Sequence, residues 1–132
     1  MNLDDTVSGS GTGEERLRFV KHKGQTIFLI DFSHCRSKEI LFLLEQVRSI
    51  IARHAQGSML TLGDFTGAEF DKKTVTRLKE VFVLDRPFVK RSALVGTDSM
   101  PHVFVENIKN FSQRAFGTFT TRQEAMDWLV AE

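Results

Sequence analysis

Asp31 and Asp64 each close an apolar, β-prone run, and two such runs in a parallel sheet would bring both carboxylates to one end of it. A carboxylate pair of that kind can hold magnesium and accept a phosphoryl group. The same chemistry needs a cation from the last strand to neutralise the acyl phosphate, and Ala115-Phe116-Gly117-Thr118-Phe119 carries no lysine. A simpler role for Asp64 is local: at the head of Asp64-Phe65-Thr66-Gly67, a short carboxylate fixes the turn by accepting from backbone amides. Cys35 beside His34 has the residue types of a nucleophile and its base, or of two metal ligands. No second cysteine supplies ligand spacing and no nearby carboxylate orients the imidazole, so neither catalysis nor a metal site is expected. His22, His54 and His102 stand alone and are expected in surface or packing roles. Gly63, Gly67 and Gly96 lie at strand exits without a phosphate-loop or dinucleotide fingerprint, and no cofactor is expected. What remains is hydroxyl and charge. Thr66 and Thr74 flank the start of a helix carrying Lys72, Lys73, Arg77 and Lys79, with Lys90 and Arg91 nearby. These cations form either a solvated helix face or a docking surface for an acidic partner or anionic headgroups.

The elements that must position these residues follow from hydrophobic periodicity. Residues 1–14 are rich in Asp, Ser, Gly and Thr and offer little apolar surface to offset ordering entropy, so they read as a flexible tail before one domain over residues 15–132. Residues 17–21 and 25–31 are β-prone runs joined by His22-Lys23-Gly24, a hairpin. The second run has no polar alternation, as expected for a strand covered on both faces. Ile40, Leu43, Leu44, Val47, Ile50 and Ile51 recur at helical spacing over residues 37–55. Residues 59–62 form the next strand and run into the Asp64 turn. A helix capped by Asp71, with Val75, Leu78 and Phe82 inward, ends before Pro87. Residues 89–95 form a third apolar strand. Asp98 or Ser99 caps the next helix with Pro101 in its first turn, residues 115–119 suit a last strand, and Thr121 with Glu124 has capping-box spacing for a terminal helix. The order, a β-hairpin then αβαβαβα, predicts an α/β fold with a mixed, mostly parallel sheet covered by helices.

This series resembles the STAS-like superfamily, in particular the bacterial group similar to anti-sigma-factor antagonists (SpoIIAA-like) and to the CRAL-TRIO lipid-transfer fold. The resemblance spans most of residues 17–132. It is carried by the opening hairpin, Asp64-Phe65-Thr66-Gly67 followed by Phe70-Asp71, Ser92-Ala93-Leu94-Val95-Gly96, Phe111-Ser112-Gln113-Arg114, and Phe119-Thr120 leading to Glu124-Ala125-Met126-Asp127-Trp128-Leu129. It implies a non-enzymatic regulatory domain that docks protein partners, as STAS domains mainly do, some also binding nucleotides or lipids. Antagonists of this fold are switched by phosphorylation at the start of the helix after the turn. Here Lys72 and Lys73 follow Asp71 where the Asp-Ser pair is expected, and Thr66 and Thr74 are the nearest hydroxyls. The regulatory surface implied comprises Asp64, Thr66, Lys72, Lys73, Thr74 and Arg77.

Composition bounds the alternatives. With 132 residues, 41% hydrophobic and 27% charged, the chain can bury a core without metal or disulfide, and its single cysteine cannot form an internal one. A net charge of +1 gives no reason to expect nucleic acid. No run is long enough to span a bilayer and none reads as a secretion signal, so a cytoplasmic location is expected. Twelve phenylalanines and no tyrosine supply aromatic mass as hydrocarbon. Met100, Val103, Phe104, Val105, Ile108 and Phe111 give one helix more apolar surface than a single stripe requires. The surplus completes the core, forms a homodimer seam, or lines a pocket for an apolar, lipid-like ligand. Protein docking is the leading expectation and ligand binding the second.

Overall fold

The computed structural model describes residues 13–112 and 115–131. Of the tail expected over residues 1–14, residues 1–12 lie outside the described residues, as does the Gln113-Arg114 pair. Five strands, β1 (Leu17–His22), β2 (Gln25–Asp31), β3 (Met59–Asp64), β4 (Val89–Val95) and β5 (Ala115–Phe119), form one sheet in sequence order. β1 pairs antiparallel with β2, and every later pairing is parallel. The hairpin turn uses Lys23 and Gly24, both at positive φ (50° and 82°), the two-residue arrangement whose twist matches that of the flanking strands. The helices are α1 (Gly13–Arg16), α2 (Ser37–Ile51), α3 (Lys72–Asp85), α4 (His102–Ser112) and α5 (Arg122–Val130). The mixed, mostly parallel α/β sheet is the one the sequence predicts.

Strand alternation divides the core in two. Phe28, Ile30, Met59 and Leu94 face α2, α3 and α4, whose Ile40, Leu44, Leu78, Val81, Phe104 and Ile108 complete the larger cluster. Ile27, Leu29, Leu60, Leu62, Ala93 and Val95 face α5, which contributes Ala125, Leu129 and Val130. The period of two puts Asp31 and Asp64, which continue the second set, on the α5 side. Fully burying an aliphatic side chain is worth about 1.5–3 kcal/mol, so the five buried residues of α2 hold that helix more firmly than its propensity does.

Helix ends account for most departures from expectation. α2 stops at Ile51 rather than near residue 55. α3 starts as expected, with Asp71 Oδ1 accepting from the Thr74 amide at 2.8 Å and its hydroxyl at 2.6 Å. α4 is not capped by Asp98 or Ser99: residues Thr97–Ser99 form a separate 3-10 turn, and the Pro101 carbonyl accepts the first amides, from Phe104 (3.0 Å) and Val105 (3.2 Å). α5 has the expected reciprocal box, Thr121 Oγ1 accepting from the Glu124 amide and Glu124 Oε1 from the Thr121 amide, both at 3.2 Å. The short helix Gly13–Arg16 begins within the segment expected as tail.

Candidate functional site at the carboxyl edge of the sheet

Parallel strands followed by helices bring the ends of β2, β3 and β4 and the starts of α2, α3 and α5 to one edge. There the chain repeats a small motif. Asp31-Phe32-Ser33 and Asp64-Phe65-Thr66 end adjacent strands, with Asp31 opposite Asp64. Ser33 donates its amide (2.9 Å) and hydroxyl (2.6 Å) to Asp31 Oδ1, and Thr66 donates its amide (3.0 Å) and hydroxyl (2.7 Å) to Asp64 Oδ1. The intervening Phe32 and Phe65 rings turn inward and pack 5.1 Å apart. Asp64 thus fixes its turn as expected.

The two carboxylates share one cation. Arg122, in the first turn of α5, donates Nε to Asp64 Oδ2 at 2.7 Å and places Nη2 3.3 Å from Asp31 Oδ1. Arg16 reaches in from α1, donating Nη1 to the carbonyls of Asp31 (3.1 Å) and Ser33 (3.0 Å). Burial pushes the Asp31 carboxyl up, but the two hydrogen bonds from Ser33 and the guanidiniums of Arg122 and Arg16 outweigh it and leave it below the ordinary carboxylate range. Burial lowers the Arg122 pKa, yet its bonds to Asp64 and Asp31 raise it overall. Acyl-phosphate chemistry would take this cation from the last strand. It comes instead from the helix after it, and the available signal was Arg122 following the Thr121 cap at that same edge. Arg16 and Ser33 were missed with it.

Two glycines let neighbouring loops close over the Asp64 turn. At Gly96 (φ 72°) a Cβ would lie 2.4 Å from the Thr66 amide nitrogen, and at Gly67 (φ 67°) it would meet the His34 ring, also at 2.4 Å. The turn is therefore a closed hub. Its hydrogen bonds continue into the helix starts: Ser37 Oγ donates to the Glu69 carbonyl (3.1 Å) and accepts from the Asp71 amide (3.0 Å), tying α2 to α3. Cys35 is buried, and that burial pushes its thiol up to about 11, the direction opposite to that of an activated thiolate. Among the described residues no His, Cys, Asp and Glu group could hold a metal ion.

The candidate regulatory residues separate. Asp64 is buried and Thr66 exposed, both in the hub. Thr74 is fully buried with its hydroxyl on Asp71, so it is not an accessible modification site. Lys72 and Lys73 are exposed in the first turn of α3. They border an open depression between α2 and α3 whose walls include Leu41, Glu45, Thr76 and Glu80. Arg77 also lines it but is not a free cation: it donates Nε (2.8 Å) and Nη2 (3.0 Å) to Glu45 and Nη1 (3.1 Å) to Glu80. Arg91 likewise leaves the proposed basic face, donating to the Trp128 (2.9 Å) and Ala131 (2.6 Å) carbonyls at the end of α5. His22 has a partner, Asp127 Oδ1 at 2.7 Å, which joins the hairpin to α5.

Met100, Phe104 and Ile108 are buried against the sheet and serve the core, while Val103 on the same helix is 72% exposed. The Phe111 side chain lies outside what is described. Behind α3, a cavity of about 80 Å³ separates the sheet from the helices. Its lining includes Leu44, Leu78, Val81, Asp85, Ile108 and the sheet residues Thr61 and Ser92, whose hydroxyls are 3.1 Å apart.

The chain, a five-stranded mixed sheet with an opening hairpin and helices on both faces, has a SpoIIAA-like α/β fold. A solved structure similar to it is that of an uncharacterized protein from the DUF3478 family with a SpoIIAA-like fold, from Shewanella loihica PV-4. The two share 14% identity at a TM-score of 0.65, with 86% of this chain and 91% of that chain covered. No protein-family model and no curated protein matches the chain. Among the described residues no helix is long and apolar enough to cross a membrane.

Proposed function

We propose that the chain is a non-enzymatic regulatory domain that docks an acidic protein partner on the first two turns of α3 and the adjoining face of α2. The observation that supports this is the pair Lys72 and Lys73, exposed beside an open depression and anchored to the hub through the Asp71 cap. A cation pair on a rigid helix start steers an acidic surface and fixes its register. The carboxyl-edge cluster argues against catalysis, because its two carboxylates are already satisfied by Arg122, Ser33 and Thr66 and none stands ready as a base. Thr66, exposed in that cluster, is the hydroxyl at which a phosphate would act, bringing a charge of about −1.5 to −2 beside Asp64.

The test compares proteins co-purifying with the native chain and with the Lys72→Glu/Lys73→Glu double variant. Loss of specific partners from the variant supports the assignment; an unchanged set overturns it. Neither lysine is buried, so the variant is expected to keep its stability within about 0.5 kcal/mol.

A second reading, binding of an apolar ligand, is favoured by the cavity behind α3. Its volume points away from a lipid chain and toward a compact molecule.

A further inference from the structure

The cavity lies between the α2, α3 and α4 face of the sheet and those helices, and its walls are mainly hydrocarbon, from Phe32, Leu44, Ile51, Leu78, Val81 and Ile108. At about 80 Å³ it is several times the roughly 10–15 Å³ that one water needs, and smaller than the ~150 Å³ apolar cavity that accepts benzene. One wall residue does not fit an apolar lining. Asp85, at the last turn of α3, is 5% exposed, and its one described polar contact is Arg48 Nη1, 3.4 Å from Oδ1. Oδ2 has no partner among the described residues, and the carboxylate caps neither α3 nor the 3-10 turn Arg86–Phe88 that follows. Burying a carboxylate with so little compensation is costly. Phe82, Arg86 and Phe116 are members of the lining that are half-buried rather than enclosed.

We infer that this cavity is a binding site for a compact apolar molecule, about the size of a five-membered ring, that carries one hydrogen-bond donor and presents it to the Asp85 carboxyl. The inference rests on the second functional reading above and narrows it from any apolar ligand to a small donor-bearing one. Hydrocarbon contacts supply the affinity, and the donor fills the vacant acceptor position on Asp85, which an isostere without a donor leaves empty. Burial also pushes the Asp85 carboxyl up to about 7, with the Arg48 guanidinium opposing it, and a donor presented by the ligand favours its ionised, accepting form.

Pyrrole and furan, five-membered aromatic rings with and without an N–H donor, are the matched probes. Each is titrated into methyl-labelled protein while the methyl resonances of Leu44, Val47, Ile51, Leu78, Val81 and Ile108 are followed. The expected result is saturable shifts at these methyls for both, with pyrrole binding at least tenfold more tightly, and with that preference lost in Asp85→Leu while furan binding remains. Furan binding to the variant also shows that it has folded. Equal affinity of the two probes for the native protein, or a pyrrole preference that survives in Asp85→Leu, overturns the donor assignment and leaves the apolar-ligand reading standing. No shift with either probe overturns both and leaves a cavity that holds only water.

Discussion

Arg122 decides what the carboxyl edge is. Two carboxylates at the ends of neighbouring parallel strands repel one another and would favour a metal ion or a shared proton, and a guanidinium bridging both removes that pressure. The arrangement spans three elements, so Arg122 also holds α5 to the strand ends. Arg122→Gln is expected to cost roughly 2–4 kcal/mol, measured by urea unfolding, because it leaves the buried Asp64 carboxylate without its cation and the half-buried Asp31 with Arg16 alone. A loss under about 0.5 kcal/mol would mean that the bridge holds nothing. Gly96→Ala is expected to be damaging too: the left-handed backbone disfavours a Cβ by about 1–2 kcal/mol, and the added atom strikes Thr66. If that variant unfolds at the native midpoint, the close approach of the two loops is wrong.

Among the elements, the strands and the amphipathic helices were legible in the sequence, because burial on one or both faces leaves a periodic imprint. The bounds of β2, β4 and β5 and the Asp71 and Thr121 caps stand as expected. The misreadings arose where tertiary packing overrides local signals. Pro101, unable to donate a backbone hydrogen bond, accepts the first amides of α4 through its carbonyl although two conventional capping residues precede it. Arg77 and Arg91 look like solvent cations in sequence and are held by Glu45 and Glu80, and by the carbonyl end of α5. Nothing in local spacing links Arg122 to Asp31, 91 positions away, or marks Asp85 as buried. Both follow only from how helices pack on the sheet. For α2, whose packing was readable, Leu44→Ala is expected to cost about 2–5 kcal/mol, larger if the adjacent cavity cannot collapse.

For the molecule as a whole, opposing titrations shape stability against pH. Asp85 has a folded pKa of about 7, above its unfolded value of 3.8, so the folded state takes up a proton that the unfolded chain lacks between these limits. Stability therefore rises as pH falls from about 8 toward 4. Hydrogen bonds from His22, Gln123 and Lys23 lower Asp127 to about 2, and Asp31 is also lowered, so their contributions disappear as acid protonates them below their unfolded value of 3.8. A maximum near pH 4–5 is expected in thermal unfolding, and Asp85→Asn is expected to flatten the limb between pH 5 and 8 while leaving the acid limb. A limb unchanged by that substitution would show that Asp85 does not titrate as described. The charge pattern on which the proposed docking rests lies elsewhere, at Lys72 and Lys73, which are exposed at the start of α3. Zero-length carbodiimide coupling joins a lysine amine only to a carboxylate in contact with it. Applied to the native chain in extracts of its own cells and read by mass spectrometry of the coupled peptides, it maps an acidic docking surface directly. The account predicts that couplings to another protein concentrate at Lys72 and Lys73. Couplings that fall instead on Lys21, Lys23, Lys38 or Lys90, with Lys72 and Lys73 unmodified, would contradict it.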